Sequence, residues 1–130
     1  MSRSILSSAA ILGALAVILG AFGAHGLKQY VPVETVSTFE TGVRYHFYHV
    51  FALLATGLSA IHFPGIRMKR AAQCFFTGIL LFSGSLYLLT FLKATQTVGY
   101  SGIGIITPIG GLFFVAGWLF FLGGLLKRDT

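Results

Sequence analysis

Apolar residues fill four long stretches, Ser4 to Ala24, Tyr45 to Ile66, Ala71 to Leu92 and Ile105 to Leu126, and positive charge stands between them. Each is close to the ~20 residues that a helix needs to cross ~30 Å of hydrocarbon. The pattern predicts an all-α polytopic membrane protein, an antiparallel four-helix transmembrane bundle in a single domain. Its spans are placed over 4–24, 43–63, 71–92 and 105–126. Ahead of the second span Val36, Phe39, Val43, Phe47 and Phe51 recur at threes and fours, so an interfacial helix is expected to begin near 33–42, with Pro32 at its start, and to run on into the span.

Small residues add a packing rule. Gly13, Ala16, Gly20 and Gly23 mark the first span, Ala71, Gly78 and Ser85 the third, and Gly110, Gly117 and Gly124 the fourth. Such stripes let helix backbones approach where lipid removes the hydrophobic incentive, and a seven-residue period favours left-handed crossings. A compact left-handed bundle is the expectation. The connection from Ala94 to Gly104 is polar and rich in glycine, and Thr107-Pro108 has the form of a helix cap and first helical residue.

Composition changes the picture little: 55% of the residues are hydrophobic, 9% are charged, and the mean hydropathy is +0.86, against roughly 25% charged in soluble domains. The charge of +6 is a topology signal. Arg3, Arg67, Lys69, Arg70, Lys127 and Arg128 fall on one side of a four-span layout, while Lys28 and Lys93 fall on the other and Arg44 stands at the mouth of span two. That asymmetry places both termini in the cytoplasm and makes anionic headgroups the partner of the basic residues, to the exclusion of nucleic acid. The first span is expected to be retained rather than cleaved as a signal peptide. Cys74, the one cysteine, permits no internal disulfide.

Polar groups in a membrane are costly, and their positions point to function. In the four-span layout they gather in the outer leaflet: His25 at the end of span one, Arg44, Tyr45 and His49 in span two, Ser83, Ser85 and Tyr87 in span three, Thr107 in span four. These form the candidate ligand-binding cluster, with Tyr45 and His49 facing inward and Arg44 nearer the headgroups. His46 and Tyr48 are assigned to interfacial anchoring. Helix amides at Gly110 and Gly111, just after Pro108, offer an anion or headgroup position. A metal set drawn from His25, His46, His49 and Glu40 lacks any HExxH, CxxC or paired Glu-x-x-His pattern. No haem ligand pair and no catalytic set stands out, and no span carries a carboxylate, so catalytic residues, metal and cofactors are all expected to be absent.

The segments Gly20-Ala-Phe-Gly-Ala-His-Gly26, Thr41-Gly-Val-Arg-Tyr-His-Phe-Tyr-His49, Leu81-Phe-Ser-Gly-Ser-Leu-Tyr87 and Thr107-Pro-Ile-Gly-Gly111, with Gly117-Trp118, resemble the domain-of-unknown-function 423 family of small integral membrane proteins. The resemblance implies a four-helix membrane fold, residence in the bacterial cytoplasmic (inner) membrane, and no established activity. The family pattern falls on His25, Tyr45, His49, Ser83, Ser85, Tyr87, Thr107 and Pro108. It also implies that an amide often replaces His46, which weakens a metal reading. Three functions remain open. The first is a binding or scaffold bundle, homo-oligomeric, whose outer-leaflet site holds a lipid, an amphipathic ligand or another membrane protein. The alternatives are a small-solute or ion transporter or channel, and, behind it, a membrane enzyme or redox carrier.

Overall fold

The computed structural model describes residues 1–96 and 102–127. All regular structure among them is helical: α1 (Ser2–His25), a 3₁₀ turn (Leu27–Gln29), α2 (Val33–His62), α3 (Ile66–Ala94) and α4 (Ile103–Leu126). Pro32 precedes α2 in an extended conformation, with φ −66° and ψ 165°, and from there one unbroken helix runs through the expected interfacial segment and second span. Phe63-Pro64-Gly65 separates α2 from α3, and Gly65 takes φ 145°, a value side chains other than glycine's rarely tolerate. Midway along α3 the residues Ile79–Ser83 widen into a π-helical turn.

α4 departs from expectation at its start. Thr107-Pro108 does not open the helix; Ile103 does, and Pro108 lies inside it. A proline this near the beginning removes one intrahelical bond, which a membrane helix tolerates, and the apolar residues Ile103, Ile105 and Ile106 extend the helix ahead of it. The expected loop over 94–104 is shortened at both ends accordingly, and its centre, 97–101, lies outside the described residues.

The small-residue stripes are used between chain neighbours. A Cβ on Gly13 would meet Val50 at 3.4 Å, one on Gly20 would meet Val43 at 3.4 Å, and one on Gly23 would overlap the Phe39 ring at 2.8 Å. Gly57 of α2 meets Leu6 of α1 in the same way, at 2.8 Å. Along α3 and α4, Gly124 faces Met68, Gly117 faces Phe75, Gly78 faces Phe114 and Gly110 lies against the Phe82 backbone. In both pairs residue numbers rise on one helix as they fall on the other.

Packing follows chain order, α1 on α2, α2 on α3, α3 on α4, whereas α1 and α4 share no packing interface. The expected compact bundle is thus an open row of helices. Its physical reason lies in the stripes: α1 and α4 each turn their small face to one inner neighbour and leave large apolar side chains such as Ile11 and Leu112, both 70% exposed, pointing away. The core runs along the row, from Ile5, Ala9 and Leu12 through Val50 and Leu53 to Phe75, Ile79 and Phe114.

Three helices, α1, α3 and α4, are long and apolar enough to cross a membrane. α2 has the length but carries Glu34, Glu40, Arg44, Tyr45, His46, Tyr48 and His49. Like α3, it is gripped from two sides, which is why His46, His49 and Thr56 can be buried in it.

Candidate functional site

The polar groups at this level separate into two seams and a groove. On the seam between α2 and the upper part of α3, His46 is 1% exposed, and its Nδ1 is hydrogen-bonded to the Tyr87 hydroxyl at 2.8 Å. The ring also interacts with the Leu12 backbone of α1, while Nε2, sealed from solvent, has no hydrogen-bond partner. His46 therefore touches three helices. This overturns its assignment as an interfacial anchor: α2 is covered on two sides, so two of its stripes are buried. Ser83 in the π turn donates to the Gly42 carbonyl at 2.6 Å, and Gly42 can lie there because a Cβ would already press on Tyr87 and Leu86.

The second seam joins α3 to α4. The Ser85 hydroxyl donates to the Phe82 carbonyl at 2.8 Å and is hydrogen-bonded to the Thr107 hydroxyl. Ser83 and Ser85, two positions apart and so ~200° apart around the helix, reach opposite neighbours.

Between α2 and α4 the row opens into a groove of about 640 Å³. His49 forms part of its wall at 4% exposure. Its Nδ1–H donates to the Tyr45 carbonyl at 2.7 Å, and its Nε2 accepts from the Trp118 indole N–H at 3.2 Å. Because an indole nitrogen can only donate, this network assigns the neutral Nδ1–H tautomer and leaves no free lone pair on the ring. The imidazole lies flat on Phe114, ring centroids 3.5 Å apart and 6° between planes. Tyr45 packs on Phe82 at 4.8 Å and on Tyr48 at 5.5 Å, and Pro108 and Gly111 close the α4 side.

Of the residues singled out from the sequence, Tyr45, His49 and Gly111 line this groove. Ser83, Ser85, Thr107 and Tyr87 make hydrogen bonds within the protein beside it. His25 and Arg44 are exposed at the helix surface. Gly110 and Gly111 lie past the first turn of a helix that begins at Ile103, and Gly110 is pressed against the Phe82 backbone, so they do not form a helix start with free amides. Among the described residues no three His, Cys, Asp or Glu side chains converge. The groove's other main constituents, Phe82, Phe114 and Trp118, were not marked as site residues. The available signal was Trp118, the one tryptophan of the chain, beside a packing glycine.

Long apolar helices that turn most of their buried polar groups to partners within the protein define an integral membrane protein. The chain belongs to the DUF423 family, described as proteins of unknown function, whose model matches residues 19–111. A Bacillus subtilis protein, UPF0382 membrane protein YwdK, is 43% identical over 122 residues, covering 90% of this chain and 94% of the relative. A UPF0382 membrane protein of Haemophilus influenzae is 38% identical over 130 residues, 100% of this chain and 99% of its own. The Escherichia coli UPF0382 inner membrane protein YgdD is 34% identical over 126 residues, 97% and 92%. No solved structure matches the chain.

Proposed function

We propose that this protein is a four-span lipid-binding protein of the bacterial cytoplasmic membrane, with both termini in the cytoplasm, that holds one amphipathic lipid in the α2–α4 groove. The groove carries the reading. Its volume of about 640 Å³ lies within the ~300–1,000 Å³ of small-molecule sites, which pair apolar walls with a few polar groups. The lower walls are Leu112, Phe114 and Val115, suited to an acyl chain. Tyr45 and Tyr48 at the other end have exposed rings whose hydroxyls make no hydrogen bond among the described residues, and Arg44 is exposed on the preceding turn. A polar headgroup meets donors there.

The fourth span is supported by the contacts of α2 with α1. They extend from Phe39 to Gly57, about 27 Å at 1.5 Å per residue, so α2 accompanies α1 across most of the hydrocarbon thickness. The inner-membrane location is supported by the E. coli relative's name and by the basic residues Arg67, Lys69 and Arg70 grouped at one end of the row.

Native mass spectrometry of protein extracted gently from its membrane tests the reading. Wild type should retain one lipid in this groove. Gly111→Leu should lose it while keeping its thermal midpoint, because a Cβ at Gly111 makes only ordinary contact, 3.9 Å, with Phe82, and the rest of the side chain enters the groove. A wild-type protein that carries no lipid, or a Gly111→Leu variant that carries as many lipids as wild type, ends the proposal.

A further inference from the structure

On the other face of the row, at the end that carries the α2–α3 turn, two adjoining hollows of about 270 and 460 Å³ lie between the first turns of α1 and the first half of α3. Both are lined by Ser4, Ile5, Ala72 and Gln73. The outer hollow adds Lys69; the inner adds Ser8 and Thr77 over a floor of Leu53 and Phe76. α1 and α3 leave this end in the same direction, so the cleft is graded. At the rim stands Lys69, and the neighbouring Arg70 is tied by its Nη1–H to the side-chain oxygen of Gln73, a residue of both hollows, at 3.1 Å. Ser8 and Thr77 follow about 10–12 Å further along at 1.5 Å per residue, and apolar wall lies beyond.

Two further features mark it as a site for a ligand. Among the described residues no carboxylate lines either hollow, so the lining there carries positive charge alone. The hydroxyls deeper in the cleft are also available to a ligand: Ser8 and Thr77 do not donate to the carbonyl four residues back, as Thr41, Thr56 and Thr90 do at 3.1, 2.7 and 2.8 Å.

From this gradation we infer that the α1–α3 cleft binds an anionic phospholipid, its phosphate at Lys69 and Arg70, its glycerol esters accepting from Ser8 and Thr77, and its acyl chains over Leu53 and Phe76. Basic pockets between membrane helices favour such headgroups. The cleft is separate from the α2–α4 groove, and the inference does not depend on that groove's occupant.

The test titrates the delipidated full chain in non-ionic detergent with phosphatidylglycerol, phosphatidylethanolamine or inorganic phosphate and counts bound molecules by native mass spectrometry. Phosphatidylglycerol should bind more tightly than phosphatidylethanolamine, and inorganic phosphate should not displace it. Lys69→Gln and Arg70→Gln should each weaken phosphatidylglycerol about fivefold, and Lys127→Gln, outside the cleft, by under about twofold. Ser8→Ala combined with Thr77→Val should weaken both lipids, whereas Gly111→Leu should lower the count by the groove's lipid and leave the preference of the cleft for phosphatidylglycerol unchanged. Equal affinity for the two lipids overturns the inference, as does displacement by phosphate. So does an effect of Lys127→Gln that matches Lys69→Gln, since the attraction would then be diffuse. All the charge variants are at exposed positions, and a thermal midpoint for each confirms that folding is intact.

Discussion

His46 and His49 stand three positions apart on α2 and are both buried, yet they meet different neighbours: Tyr87 on α3 for one, Trp118 on α4 for the other. In hydrocarbon an unpaired ring nitrogen has no water to turn to, so each partner should matter to stability. Trp118→Phe keeps the aromatic contact but leaves His49 Nε2 without its donor; Tyr87→Phe removes the 2.8 Å bond at His46 Nδ1. Measured hydrogen bonds between membrane helices average ~0.6 kcal/mol and reach ~1.7, and both variants should lose stability within that range, Tyr87→Phe the more. Reversible unfolding in mixed micelles measures it, and two variants indistinguishable from wild type would remove any stabilising role for these bonds. The burial of His49 was legible from its place in the expected second span. Its partner was not, because Trp118 lies 69 residues away and no local pattern links the two. His46 was misjudged because a single inward stripe was assumed for a helix that has neighbours on two sides.

Glycine spacing was the most legible property of the elements. The seven-residue series at Gly110, Gly117 and Gly124 gives the face by which α4 rests on α3, and the series on α1 gives its face toward α2. The π turn at Ile79–Ser83 was not legible, since Ile-Leu-Leu-Phe-Ser carries no composition that distinguishes it from regular helix. α4 comes closest to it: a Cβ on Gly110 would collide with the backbone nitrogen and Cα of Phe82, atoms that cannot rotate aside. Gly110→Ala should therefore force the two helices apart and destabilise by ~1–3 kcal/mol, the scale of overpacking. Gly104 is the matched control. It lies in the first turn of the same helix with nothing within 4 Å of its Cβ position, so Gly104→Ala should raise stability slightly, by less than the ~0.5–1 kcal/mol of a helix interior. The two substitutions are chemically identical and opposite in expected sign. Thermal midpoints that move together would mean that α4 does not pack on the π turn.

At the scale of the molecule, the open row and its two clefts depend on how the helices sit in the membrane, and α2 decides that. Its hydropathy does not qualify it as a span beside α1, α3 and α4, because a hydropathy window counts His46, His49 and Thr56 as if lipid faced them, while the fold turns them toward other helices. The contacts from Phe39 to Gly57 along α1 argue that it crosses. Cysteine labelling separates the arrangements. In a Cys74→Ser background, single cysteines are placed at Gln29 in the 3₁₀ turn, Phe63 in the α2–α3 turn and Lys127 after α4, all exposed positions, and intact cells are treated with a membrane-impermeant maleimide. Four spans with cytoplasmic termini expose Gln29→Cys alone, the other two reacting only after permeabilisation. If α2 lies flat on the outer surface, Phe63→Cys stays on the side of Gln29→Cys, and α3 and α4 return the chain so that Lys127→Cys is labelled as well. A bundle inserted the opposite way labels Phe63→Cys and Lys127→Cys but not Gln29→Cys. Only the first pattern puts Tyr45 and Tyr48 toward the outer leaflet, and Lys69 and Arg70 at the cytoplasmic surface where anionic headgroups attract basic residues.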